Sequence, residues 1–343
     1  MARGLDDAVD AAAWAVERAI DADFARLEDL AVPAREVERL VSALERVDAR
    51  PIAQLRDPLL LFPALGAAVD SAMPWQPPFV TDAILDLPAV QDALTSIAAA
   101  ALASEAAAWW TTGCDLSSQW AARPIRDGKP ALLSSGTASN EILASWSDYF
   151  AAEENRFSQR RMRNVSGTWW STPHAHGGVQ GQWAKLPSTT RRLGGLGAVA
   201  LALQEDSWGD TEALLNPVLP APGVRVYEVH GPEDLSRLVQ KYPAPARWSR
   251  QYVWRQSTGM ELDWAVPDYA AAAEDFDAIH LSVIGYLSTA GSAVPFPHGG
   301  GTVLAGWAPD ETYWLTDHIE IHGPAEHWYR QDGDEMHQWR QRT

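Results

Sequence analysis

"GVRVYEVHGPEDLSRLVQKY", residues 223–242, reads as a strand running straight into a helix. Gly223 to Val229 is a short apolar run with turn punctuation on both sides, the pattern of a strand. Pro232 then stands at a helix start, Glu233 and Asp234 fall in the first turn, and Lys241 falls in the last. That order of charges complements the helix dipole. The same alternation continues through the second part of the chain. "PALLSSG", "GTWWSTP", "LGAVALALQED", "AIHLSVIGYL", "GTVLAGW" and "TYWLTDHIEIHG" read as further strands. "NEILASWSDYFAAEENRFSQRRM" and "PDYAAAAEDF" read as helices between them.

The first part of the chain has a different character. Val9, Ala13, Val16, Ile20, Phe24 and Leu27 recur at spacings of three and four, which places them on one helix face. Pro33 suits the first turn of a second helix, with Val37, Leu40, Val41, Leu44 and Val47 as its apolar stripe. "LPAVQDALTSIAAAALASEAAAWW" reads as a third long helix entered through Pro88. Of the seventeen tryptophans only Trp14 and Trp75 precede residue 100, so the composition shifts near residue 110. The expected fold class is α+β: an Ala-rich helical region over residues 1–110, then residues 111–343 as a mixed or antiparallel sheet with interspersed helices.

Bulk properties narrow the function. The formal net charge of −18 disfavours binding to nucleic acid, where Lys and Arg must neutralise phosphates, and adhesion to an anionic membrane surface. A single cysteine, Cys114, excludes an intramolecular disulfide and a zinc–thiolate cluster. "MARGLDDAVDAAAW" lacks a basic start followed by an apolar run, so no secretory signal is expected and a cytoplasmic location is. No G-x-S-x-G elbow is present. The glycines of "RRLGGLGAVALAL" and "PHGGGTVLAG" do not fit a phosphate-binding fingerprint and read as turns.

Two clusters carry candidate chemistry. In "HIEIH", His318, Glu320 and His322 alternate, so on a strand they share one face and could supply a two-histidine, one-carboxylate metal set. His174 and His176 in "PHAH" have the same spacing, and such a site needs both elements to converge. The alternative for each is a solvated polar strand. The second cluster is aromatic: Trp169 and Trp170 beside Ser171 and Thr172, and Trp307 and Trp314 around Glu311. Aromatic walls with a few polar tips suit a flat, charged ring. As residue types, the same tryptophans also suit a sheet core, and "APDET" also suits a plain turn.

The ordered segments "KPALLSSGT", "GTWWSTP", "RVYEVHGPEDLSRLV", "DYAAAAEDFDAIHLSVIGYL" and "GWAPDETYWL" resemble a divergent ADP-ribosyltransferase-like domain over residues ~125–316. The resemblance implies a transferase that binds NAD, breaks its nicotinamide–ribose bond and passes ADP-ribose to an acceptor. It implies Glu311 as the catalytic carboxylate, Trp170 as the ring-stacking residue and Ser171 as a hydroxyl in the ring pocket. The first-strand position falls near Ser134 and Ser135, where the family carries histidine or arginine, and Glu311 lacks the family's paired glutamate. Arg191 is a further candidate, for a ligand phosphate. The alternatives are a metal-dependent enzyme built on the histidine cluster, and a non-catalytic assembly protein whose N-terminal helices form a homo-oligomer.

Overall fold

Strands and helices alternate along most of the second part of this computed structural model, which describes residues 34–131, 137–160, 165–178, 182–205, 209–330 and 339–342. The chain separates into two units, residues 1–61 with 77–108 and residues 62–76 with 109–343. The fold is α+β.

The first unit is helical over its described residues. The stripe expected from spacing is its core: Leu40 and Leu44 of the helix Ala34–Glu45 bury against Ile84 and Val90, with Val37 and Val41 packed around them. Pro88 opens the helix Pro88–Ala103. This helix stops well short of the run expected to Trp110. Ser104 turns to an extended backbone, and its hydroxyl donates to the Ala101 carbonyl at 2.6 Å. Such a bond offers the chain an alternative to another helical turn. Among the described residues no helix is long and apolar enough to cross a membrane.

The second unit holds the strands. In chain order they are β1 (Gln119–Arg126), β2 (Lys129–Pro130), β3 (His174–Gly178), β4 (Gln182–Lys185), β5 (Ser188–Arg191) and β6 (Glu212–Pro220). Then come β7 (Val226–Val229), β8 (Pro243–Pro245), β9 (Ala265–Pro267), β10 (Ala278–Leu281) and β11 (Ala293–Pro295). The last are β12 (Gly301–Val303), β13 (Thr312–Trp314), β14 (Ile319–Ile321), β15 (Glu326–Tyr329) and β16 (Arg340–Gln341). The main sheet runs β16-β15-β6-β1-β5-β13-β10-β7, with β14 beside β6 and β2 beside β1. It is mixed: β7 and β10 are parallel, with the helix Pro232–Lys241 following β7, whereas β13 returns antiparallel to β10. Trp314 and Tyr313 of β13, Trp328 of β15 and Leu215 of β6 are almost fully buried.

Several segments depart from their expected form, each for a local reason. "AIHLSVIGYL" is a strand only to Leu281. Ser282 then caps the helix Val283–Thr289 by accepting the Gly285 N–H, and Gly285 is needed because a Cβ there would collide with the Val229 carbonyl. "LGAVALALQED" forms two short 3-10 turns, folded back by the Leu193 N–H to Gly197 O bond with Gly197 at φ +73°. "GTWWSTP" is irregular, since its backbone groups bond to distant partners described below. The strand β6, "EALLNPVLP", was not anticipated because Pro217 and Pro220 argue against a strand interior. It nevertheless pairs with β1, β14 and β15.

Candidate functional site

The run Ser166–His174 is fastened at almost every residue. The Gly167 N–H donates to Ser249 O at 2.8 Å, and a Cβ at Gly167 would lie 2.5 Å from Glu153 Oε1. Both the Thr168 N–H (2.9 Å) and its hydroxyl (2.8 Å) donate to that same oxygen. The other Glu153 oxygen pairs with Arg250 at 2.5 Å, and Arg250 in turn donates to Trp170 O at 3.4 Å. Ser171 donates its N–H to Ala305 O at 2.9 Å, while its hydroxyl accepts the Ala305 N–H at 3.1 Å. Tyr269 donates to Ser171 O at 2.5 Å. Residues 168–172 therefore lie against the segment that begins at Ala305. Gly306, at φ +79°, has its α-carbon so close to Trp170 that an added Cβ would sit 2.7 Å from the Trp170 Cβ.

This docking assembles two carboxyl groups in an aromatic setting. Glu205 accepts the Gly306 N–H at 2.7 Å and the Tyr286 hydroxyl at 2.9 Å. Its pKa is pushed up to about 8. Burial is the main cause and the negative charge of Glu311 adds to it, against the opposing effect of the two hydrogen bonds. Glu311, 8% exposed, accepts the Ala308 N–H at 3.1 Å, and its own carbonyl accepts the Leu281 N–H at 2.9 Å. Burial, with the negative charge of Glu311 adding to it, raises the Tyr313 pKa well above the usual range.

His174 completes the cluster. Its Nε2 lies 3.3 Å from the Tyr313 hydroxyl and its Nδ1 3.1 Å from the Thr172 hydroxyl. Burial, with the positive charge of Lys185, holds its pKa well below the ordinary value, so it is neutral at pH 7. Trp307 stands edge-on to Tyr313 with centroids 4.8 Å apart. Trp169 is T-shaped to Trp170 at 5.6 Å and tilted against Trp75 at 4.9 Å. All three of these tryptophans are partly exposed, whereas Tyr286, Tyr313 and Trp307 are buried.

Of the residues singled out in the sequence, Glu311, Trp170, Ser171 and His174 thus share one neighbourhood. Ser171 serves there as a buried bridge to Ala305, its hydroxyl already bonded. Arg191 is elsewhere engaged: its Nε pairs with Asp310 at 2.6 Å, and its other nitrogens donate to Thr112 and to Gly113 O. Ser135 lies outside the described residues, as does the side chain of His176. His318 is exposed and bonds Asp277 at 3.0 Å, while Glu320 and His322 are exposed at β14. Among the described residues no group of three or more His, Cys, Asp or Glu side chains is placed to hold a metal ion. The strand β14 pairs with β6, a strand that makes no pairing with β3, the strand carrying His174. Glu205, Tyr286 and Tyr313 were missed. Glu205 sits at the polar end of "LALQED", where nothing in the local pattern signals burial. The tyrosines within apolar runs were the available hint, since a buried Tyr hydroxyl usually has a partner.

Comparison of the chain with protein-family models, with curated proteins and with solved structures finds no match.

Proposed function

We propose that this cluster cleaves the nicotinamide–ribose bond of NAD, an ADP-ribosyltransferase-like reaction, with Glu311 and Glu205 as its two working carboxyl groups. What supports the reading is that Glu205, whose pKa burial pushes up to about 8, is bonded to Gly306 next to the partly exposed Trp170, in the neighbourhood of Glu311. Two carboxyl groups given different environments divide their labour. In this reading Trp170 takes the stacking role toward the pyridinium ring. The neutral Glu205 carboxyl donates a hydrogen bond to the carboxamide oxygen of the ring. As the bond from C1′ to nitrogen breaks, its electron pair leaves with nicotinamide, and C1′ becomes oxocarbenium-like. Glu311 stabilises that positive charge. Water or an acceptor hydroxyl then attacks C1′ and gives its proton to Glu311. The Ala308 N–H, which Glu311 accepts, orients that carboxylate.

Calorimetric titration with NAD, alongside an assay of nicotinamide release, tests the reading. Saturable binding is expected, with release reduced at least about a hundredfold in Glu311→Gln. No binding at millimolar NAD would reject it. Glu205 itself favours one other reading. A neutral carboxyl is also the proton donor that an uncharged glycoside needs for its leaving group. Cleavage of an aryl riboside by a protein that leaves NAD intact would select that alternative.

A further inference from the structure

Asp310 and Glu311 are adjacent in sequence and take opposite sides of the sheet. On β13, Thr312 is opposite His280 of β10, and His280 is opposite Glu228 of β7, so these three share one face. Tyr313, the next residue, is opposite Ile279 and points the other way, toward His174 and Glu311. Asp310 bonds on the first face, where its partners are Arg191 and His280. The two carboxyl groups therefore belong to different networks joined by one peptide unit.

The network on the Asp310 side is a continuous chain of ionisable groups, buried at His280, Asp310 and Arg191 and partly exposed at Glu228. Glu228 Oε2 bonds His280 Nδ1 at 2.6 Å, and His280 Nε2 lies 3.4 Å from Asp310 Oδ1. Asp310 accepts from Arg191 twice, at Nε (2.6 Å) and at the backbone N–H (2.8 Å). The far ends are capped as well. The Cys114 N–H donates to Glu228 at 2.9 Å, which requires Gly113, because a Cβ there would sit 2.7 Å from that carboxylate. Thr112 and Gly113 O take the remaining Arg191 nitrogens. His280 and Asp310 are each 2% exposed or less. At the centre of this chain, Asp310 has φ +62°, one of two non-glycine residues with positive φ among those described. The other, Asp127, belongs to the two-residue turn between β1 and β2, whereas Asp310 lies immediately before Glu311. A left-handed non-glycine residue persists where its surroundings over-determine it.

We propose that His280 and Asp310 are positioning residues: the Glu228–His280–Asp310–Arg191 chain holds residue 310 in its left-handed conformation and so fixes Glu311 on the opposite face. The inference rests on Glu311 being the working carboxylate. It adds that the geometry of Glu311 is set by charges it does not touch. The groups facing His280 are Glu228 and Asp310, with Thr312 beside it, Arg191 behind Asp310, and Cys114 and His230 around Glu228. Burial opposes a charge on His280, and the hydrogen bonds and negative charges of Asp310 and Glu228 outweigh it, raising its pKa. The coupling is strongest while the imidazolium persists and weakens as pH rises through that raised value.

The experiment is a pH titration by NMR of the whole chain labelled with 15N-histidine and 13Cδ-glutamate, with the Glu311 signal assigned through Glu311→Gln. The Glu311 carboxyl resonance is expected to follow the midpoint of the His280 imidazole, and His280→Gln is expected to abolish that step. Asp310→Asn is the second variant. Asn tolerates the left-handed conformation but lacks the charge. It is expected to move the Glu311 resonance and to lower kcat for nicotinamide release about tenfold or more at unchanged KM. A Glu311 resonance indifferent both to the His280 titration and to Asp310→Asn overturns the proposal. The wild-type co-titration decides the matter alone if His280→Gln does not fold. The resonances need no turnover, so failure of this coupling and absence of NAD cleavage are separate results.

Discussion

Glu205 is the residue whose energetics and chemistry are most closely linked. Its ordinary pKa is 4.5 and its folded value is about 8. Between these two values the folded protein keeps a proton that the unfolded chain has lost. Stability therefore falls as pH rises through that window, at most by about 1.4 kcal/mol per pH unit. Glu205→Gln keeps an oxygen for the Gly306 N–H and removes the titration. Denaturant midpoints taken across pH are expected to show the variant more stable than the wild type near pH 8 and equal to it near pH 4. Parallel curves for the two proteins would show that Glu205 is not held protonated. A carboxyl that costs stability is a sign of a group kept for chemistry, since functional sites trade stability for their geometry.

The helix Ser139–Arg160 and the run that follows it show how one element places another. Glu153, buried on that helix, accepts from Thr168 twice and pairs with Arg250. Arg250 also lies 4.9 Å over the Phe150 ring. Removing one partner of a buried pair leaves the other charged and unpaired. Glu153→Ala is expected to cost about 3–5 kcal/mol, measured as a fall in the denaturant midpoint at unchanged slope. A loss below about 1 kcal/mol would mean that Arg250 finds water. This tie also explains what the sequence could reveal. The helix was readable from its own pattern, as were the stripe of Leu40 and Leu44 and the helix after Pro232, because local spacing determines those. "GTWWSTP" resembled a strand because its fasteners, Glu153, Ser249 and Ala305, are remote and leave no local mark. The strand β6 was obscured by its prolines, and "AIHLSVIGYL" hid a change of structure behind one serine. Trp170 and Glu311 could be singled out because aromatic and acidic residues stood beside turn signals. Glu205 could not, since burial of a glutamate is a property of the assembled second unit.

Across the second unit, the candidate site draws on segments far apart in the chain. Trp170 and His174 come from one segment, Glu205 from the turn before β6, Tyr286 from the helix after β10, and Glu311 from the entry to β13. Folding the mixed sheet brings them together, while the chain as a whole carries a formal charge of −18. On the proposed reading, an anionic dinucleotide would be held by stacking and hydrogen bonding and not by long-range attraction. The proposed reaction needs Glu205 protonated, so its pH dependence reports on that carboxyl group. The decisive measurement is nicotinamide release from NAD across pH in the wild type and in Glu205→Gln. The wild-type rate is expected to fall as pH rises through about 8, and that fall is expected to be absent in Glu205→Gln. Release that is undetectable at every pH, or that falls identically in both proteins, would contradict the assignment of the two carboxyl groups.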